Sequence, residues 1–198
     1  MYILEKTEKL SGKKICYLEQ PEGDKCALFL HGKSYTSENW LKLHHTIGDL
    51  YRLRYKFYAF DFPGFGKSES NNVDPIDFIK TFIDNLNLKN VVLIGASMSG
   101  GFALRYAVKY PDNLRAIVAM APAGIENEIK NLSKITIPAL FMWGKNDNIV
   151  PPSLGNKLKK AIKNSELFIF KNLSHPFYFE NEELFKTNLL KFLEKIEN

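Results

Sequence analysis

The chain has 198 residues, 45% hydrophobic and 25% charged, a composition that suits a folded globular protein and argues against disorder. That length is enough for one domain with a sizeable core, expected over residues 1–198, and short for two. The formal charge of +5 is spread out except in NKLKKAIKN, residues 156–164, where Leu158 and Ile162 share one helical face and Lys157, Lys159, Lys160 and Lys163 occupy the others. This pattern reads as a solvated face, so nucleic acid is not an expected partner.

The N-terminal residues MYILEKTEKL lack the basic region and apolar core of a signal peptide. No run approaches the roughly 18 apolar residues of a membrane span, and a cytoplasmic location is expected. Strands are predicted at residues 2–8 and 13–19, alternating apolar and polar and joined at Ser11 and Gly12, which suits an antiparallel hairpin exposed on one side. Six more follow at 26–31, 56–61, 90–95, 114–120, 138–143 and 166–170. From the third strand onward, strand and helix alternate, which predicts right-handed crossovers and a mostly parallel eight-stranded sheet. Cys16 and Cys26, in strand-like runs, are too few for a disulfide framework and have no histidines at a zinc-motif spacing. They read as buried free thiols.

A helix is expected to begin at Pro75, with Asp74 as its N-cap and Ile76, Ile79, Phe82, Ile83 and Leu86 as its apolar stripe. A final helix from about residue 181 presents Phe185, Leu189, Phe192 and Ile196 at helical spacing, widened by Leu190 and Leu193. It is expected to close over the far end of the sheet.

The segment VVLIGASMSGG, residues 91–101, places Ser97 between a short apolar run suited to a strand buried on both faces and a helical pattern beginning near Phe102. A serine hydroxyl becomes a nucleophile only when geometry exposes it and a base activates it. A sharp strand-to-helix turn of the form G-x-S-x-G supplies the exposure. Here Gly95 precedes Ser97 by two residues, but the fifth position is Ser99, with glycines at 100 and 101.

Four histidines compete for the role of base. His44 and His45 fall in an expected helix after Trp40, and His31 ends the third strand, where a structural role supporting the loop is expected. His175, in NLSHPFYF, follows the eighth strand and is the candidate base. For the acid, Asp147 follows the strand Ala139 to Trp143, broken by Gly144. Each has a plainer reading, Asp147 as a cap for the helix near Pro151 and His175 as a loop histidine. Together they follow edge-reaching strands in the order Ser97, Asp147, His175. The oxyanion that forms during acyl transfer also needs donors. The backbone N–H of Met98, at the helix start, is one candidate, and that of Lys33, after Gly32 in the loop following the third strand, is the other, with Ser34 as the alternative.

These residues together resemble the alpha/beta-hydrolase family. The likeness rests on His31, Gly32 and Trp40, on Asp61 to Ser68 (DFPGFGKS), on the Ser97 turn, on Trp143 to Asp147 (WGKND) and on Ser174 to Tyr178 (SHPFY), in order along nearly the whole chain. The S-x-S-G and H-P-x-Y runs are similar to a small lidless branch of serine hydrolases and esterases. The resemblance implies an α/β three-layer sandwich, an antiparallel strand near the N-terminus and no sizeable cap domain, since the interval from Gly124 to Pro138 holds about one short helix. It implies a Ser97, His175, Asp147 triad with no metal or organic cofactor.

The expected activity is hydrolysis of small acyl esters or thioesters through an acyl-enzyme, in an open site that Ser34, Met120, Phe177 and Tyr178 are candidates to line. Acyl transfer, perhydrolysis or C–C cleavage on the same triad remain alternatives. So does a non-catalytic interaction protein on a hydrolase scaffold.

Overall fold

The computed structural model describes residues 1–197. Eight strands form a single sheet: β1 (Leu4–Leu10), β2 (Lys13–Gln20), β3 (Lys25–Leu30), β4 (Tyr55–Phe60), β5 (Val91–Ala96), β6 (Leu114–Met120), β7 (Ala139–Gly144) and β8 (Ser165–Phe170). Their spatial order is β1-β2-β4-β3-β5-β6-β7-β8. β2 runs antiparallel to both β1 and β4, and every pairing from β4 through β3 to β8 is parallel. All eight predicted strands are present, the first displaced by two residues.

Seven α-helices pack around the sheet: α1 (His44–Arg52), α2 (Pro75–Asn85), α3 (Met98–Lys109), α4 (Ile129–Leu132), α5 (Ser153–Ala161), α6 (Phe177–Glu180) and α7 (Glu182–Glu197). The side-chain period of two sends alternate residues of each central strand to opposite faces. Leu28, Leu93, Ile117 and Phe141 pack toward α2, α3, α4 and α5, whereas Phe29, Val92, Val118 and Leu140 pack toward α1, α6 and α7. Both faces are thus covered, which is why these strands are apolar runs without polar alternation.

Local signals explain several helix positions. Asp74 Oδ1 accepts the N–H groups of Ile76 and Asp77 at 2.9 and 3.2 Å, and Pro75 occupies the first helical position, where its missing N–H costs little. On α5, Leu154 and Leu158 are buried while Lys157, Lys159 and Lys160 face solvent, as expected for a solvated basic face. Among the described residues, the β6–β7 connection carries only the single turn α4, and no cap covers the C-terminal edge of the sheet. No helix among the described residues is long and apolar enough to cross a membrane.

Candidate active site

Parallel strands deliver their C-terminal ends to one edge, and there the loops after β3, β5, β7 and β8 meet. Ser97 is the residue between β5 and α3, with φ 54° and ψ −115°. A non-glycine residue in that conformation is strained, and such strain persists only where the surroundings impose it. Here the Ser97 N–H donates to the Met120 carbonyl at 2.8 Å, and the Ser97 carbonyl accepts from the N–H groups of Gly101 at 3.2 Å and Ala123 at 2.9 Å. The ends of β5 and β6 and the first turn of α3 therefore hold the turn from both sides, and Ser97 stays partly exposed.

Ser99, at the atypical fifth position of the turn, is fully buried. Its hydroxyl accepts the Ala96 N–H at 3.0 Å and donates to the Leu30 carbonyl at 2.7 Å, tying the end of β3 to the turn. The serine fits because its polar atom is satisfied where a glycine would leave those groups to find other partners.

Asp147 and His175 come together through the ends of β7 and β8. Gly144 has no side chain, and a methyl there would lie 2.1 Å from the Ser174 carbonyl oxygen and 2.4 Å from that of Leu173. That close approach brings the segment before His175 against the end of β7. The Asn146 N–H donates to Leu173 O at 2.9 Å, and Glu180 accepts from the Ser174 N–H at 2.7 Å and from its hydroxyl.

Within this frame, His175 Nδ1 lies 2.7 Å from Asp147 Oδ2. The other Asp147 oxygen accepts the N–H groups of Ile149 and Val150, both at 2.8 Å. The Asp147 side chain is 0% exposed and that of His175 12%. A carboxylate fully committed in this way fixes the imidazole with its proton on Nδ1 and Nε2 as an acceptor. Asp147 does not cap the helix near Pro151, whose N-cap is Pro152 without a side-chain bond; it holds its own turn to Val150 with one oxygen and reaches His175 with the other.

The loop after β3 lies against the same turn, since a methyl on Gly32 would sit 3.6 Å from Ser97 Cβ. Lys33 and Ser34 follow on the exposed part of that loop. Met98 is the first residue of α3, where backbone N–H groups lack intrahelical partners.

His31 is buried and used structurally. The Phe62 N–H donates to its Nε2 at 3.0 Å, so the ring is neutral with its proton on Nδ1, which donates to Gly32 O at 2.9 Å. Burial lowers its pKa below the usual 6.5, outweighing the opposing pull of the Gly32 hydrogen bond and Asp61. Asp61 accepts the Ser37 N–H at 2.7 Å and the Lys67 N–H at 2.9 Å, so DFPGFGKS is a scaffold that clamps the loops after β3 and β4.

Three residues expected to line a pocket lie elsewhere. Met120 and Phe177 are 0% exposed and Tyr178 is 3% exposed, all in the core between the sheet and α1, α6 and α7. Alternation along β6 turns Met120 to that face, and α6 packs Phe177 on Phe170 and Tyr178 on Trp40, with ring centroids 5.3 and 5.5 Å apart. They offer a substrate little or no surface. Instead, a cleft of about 210 Å³ runs beside Met98 toward Phe62 and Asn71. Asn71, in the run SNNVDP, carries no sequence signal that singles it out.

Outside this edge, the donor atoms of His44, His45 and Glu182 lie within 4.8 Å of one another and could hold a metal ion. One Glu182 oxygen already accepts the Thr46 N–H and hydroxyl, at 2.8 and 3.0 Å.

Comparison with known proteins agrees with this architecture. The chain is 28% identical over 208 residues to "Putative protein-lysine deacylase ABHD14B" of Rattus norvegicus, covering 97% of this chain and 96% of that one. It is 30% identical over 177 residues to "Protein ABHD14A" of Danio rerio, covering 86% of this chain and 64% of that protein. A solved structure titled "predicted CIB-like hydrolase" from Thermoplasma acidophilum superposes with a TM-score of 0.93 at 29% identity, over 98% of this chain and 99% of the other. Residues 114–197 match a model described as TAP-like protein. Residues 28–133, more than half of the chain, match the model described as alpha/beta hydrolase fold, a match that supports hydrolase activity: the chain belongs to the alpha/beta-hydrolase fold family.

Proposed function

We propose that the protein is a serine hydrolase that cleaves small acyl esters or thioesters through an acyl-enzyme on Ser97. One observation carries this reading: His175 is locked by Asp147 at 2.7 Å on the same sheet edge where Ser97 is held at a positive φ. His175 Nε2 takes the proton of the Ser97 hydroxyl as Oγ attacks the carbonyl carbon, and Asp147 stabilises the imidazolium. The N–H groups of Met98 and Lys33 receive the oxyanion, each donor contributing about 2.7–4 kcal/mol to the transition state. Collapse of the tetrahedral intermediate expels the alcohol or thiol, which takes the proton from His175. Water, deprotonated by His175, then attacks the acyl-Ser97 carbonyl and frees the acid.

The name of the Rattus norvegicus relative favours a second reading, in which the acyl group is released from a lysine side-chain amide on the same serine. Both readings share the acyl-enzyme and differ in the leaving group.

A fluorophosphonate probe tests the shared step. Labelling of the intact protein is expected and is expected to vanish in Ser97→Ala; absence of Ser97-dependent labelling overturns the reading. p-Nitrophenyl esters from acetyl to palmitoyl, set beside acyl-lysine peptides, then separate the leaving groups. With no cap over the site, short acyl chains are expected to turn over fastest.

A further inference from the structure

We propose that His44, His45 and Glu182 form a zinc site that pins the start of α7 to the start of α1, with water completing the coordination of the ion. The site takes no part in the chemistry at Ser97 and stands whether or not the protein is a hydrolase.

His44 and His45 are the first two residues of α1, and Glu182 is the first of α7. Their donor atoms all lie within 4.8 Å of one another. The two imidazole rings, both exposed, have turned together, with centroids 4.0 Å apart. Two ligands each about 2.0–2.2 Å from one zinc ion lie at most about 4.4 Å apart. Closing the site therefore takes a short movement, which exposed imidazoles make by side-chain rotation. The backbones beneath need not move, because Ile47 and Leu50 of α1 and Phe185 and Leu189 of α7 are buried in one core.

Glu182 is the anchored ligand. The first turn of α1 has no acidic residue, and its N-cap makes no side-chain bond. Glu182 Oε1 takes that place, accepting the Thr46 N–H at 2.8 Å and the Thr46 hydroxyl at 3.0 Å. Thr46 is fully buried, so these bonds hold the carboxylate in one orientation and leave Oε2 for an ion. The flanking lysines are committed elsewhere: Lys186 lies 2.8 Å from Glu183 and 3.3 Å from Asp49, and Lys42 lies over the Phe179 ring. Two imidazole nitrogens and one carboxylate oxygen suit zinc, whereas Mg²⁺ and Ca²⁺ favour oxygen ligands. Thr46 and Glu182 are 136 positions apart, so the complete ligand set exists only in the folded chain. Zinc bound there stabilises the fold.

The test titrates Zn²⁺ into the full chain, free of any affinity tag, by calorimetry and by NMR of its four histidine side chains. One ion per chain is expected, with shifts at His44 and His45 and none at His31 or His175. Affinity is expected to fall by more than about tenfold in His44→Ala, His45→Ala and Glu182→Gln, and by about tenfold in Thr46→Val. Gln at position 182 can still accept from Thr46, so that variant removes the ligand charge and keeps the cap. Zinc is expected to raise the Tm of the wild-type protein and not that of Glu182→Gln. His175→Gln is expected to bind zinc as the wild type does.

Absence of binding overturns the proposal. Binding that His175→Gln abolishes assigns the ion to the candidate triad and overturns it too. Full affinity in Glu182→Gln reduces the site to an exposed histidine pair, and an unchanged Tm under saturating zinc removes the brace between α1 and α7; either result sinks the inference. Fluorophosphonate labelling of Ser97 decides the hydrolase reading separately.

Discussion

Ser99 and His31 show how single side chains hold the candidate site without entering the chemistry. Ser99 replaces the glycine usual at the fifth position of the turn, and its hydroxyl bridges Ala96 and Leu30, residues on neighbouring strands. Ser99→Ala removes both bonds inside a fully buried site, and a loss of about 1–3 kcal/mol in urea unfolding is expected; an unchanged midpoint would show the bridge to be idle. His31 leads to a pH dependence whose sign follows from its lowered pKa. The unfolded chain binds a proton more readily than the folded one between the depressed value and 6.5, so stability is full above 6.5 and falls as pH drops through that window. Protonation would also turn the Phe62 N–H against a ring nitrogen that no longer accepts. Unfolding measured at about pH 7.5 and about pH 5 is therefore expected to show a larger loss in the wild-type protein than in His31→Gln, because only the imidazole titrates there. Parallel pH profiles would remove His31 from the explanation.

At the scale of elements, the strand-to-helix turn at Ser97 depends on how closely α3 approaches the segment after β6. A methyl on Gly101 would lie 2.2 Å from the Ala123 carbonyl oxygen, backbone that cannot step aside cheaply. Gly48, in the middle of α1, has nothing within 4 Å of the corresponding position. Gly101→Ala is expected to destabilise the protein by about 1–3 kcal/mol or more through overpacking, whereas Gly48→Ala is expected to stabilise it by about 0.5–1 kcal/mol through helix propensity. Opposite shifts in the urea midpoint check the pair, and shifts of the same sign would contradict it. Neither effect is legible in the sequence, because each depends on what a distant segment places beside the glycine. The strands were legible because burial on both faces leaves continuous apolar runs between turn residues, and α2 was legible because Asp74 and Pro75 mark its start.

Across the whole molecule, coverage of both sheet faces seals the two thiols. Cys16 and Cys26 are 3% and 4% exposed, and burial raises both pKa values, that of Cys26 to about 12. The thiolate is the reactive form, so neither is expected to react with Ellman's reagent at about pH 8 until the protein unfolds, when both react together. Fast reaction of either in the native protein would mean that one face of the sheet opens.

Composition, periodicity and turn residues were sufficient for the strands, the sheet type and the buried thiols, because each is written in neighbouring residues. The chain order of Ser97, Asp147 and His175 also pointed to the sheet edge where Asp147 meets His175 and where the Ser97 turn lies. Folding settled what depends on distant segments meeting. Ser99 reaches a carbonyl 69 positions away because β3 and β5 are neighbours in the sheet. Met120, Phe177 and Tyr178 turned into the core because alternation along β6 and the packing of α6 left them facing α1 and α7. The cleft at Asn71 exists because the clamp after β4 lies beside α3, an adjacency that no local pattern encodes.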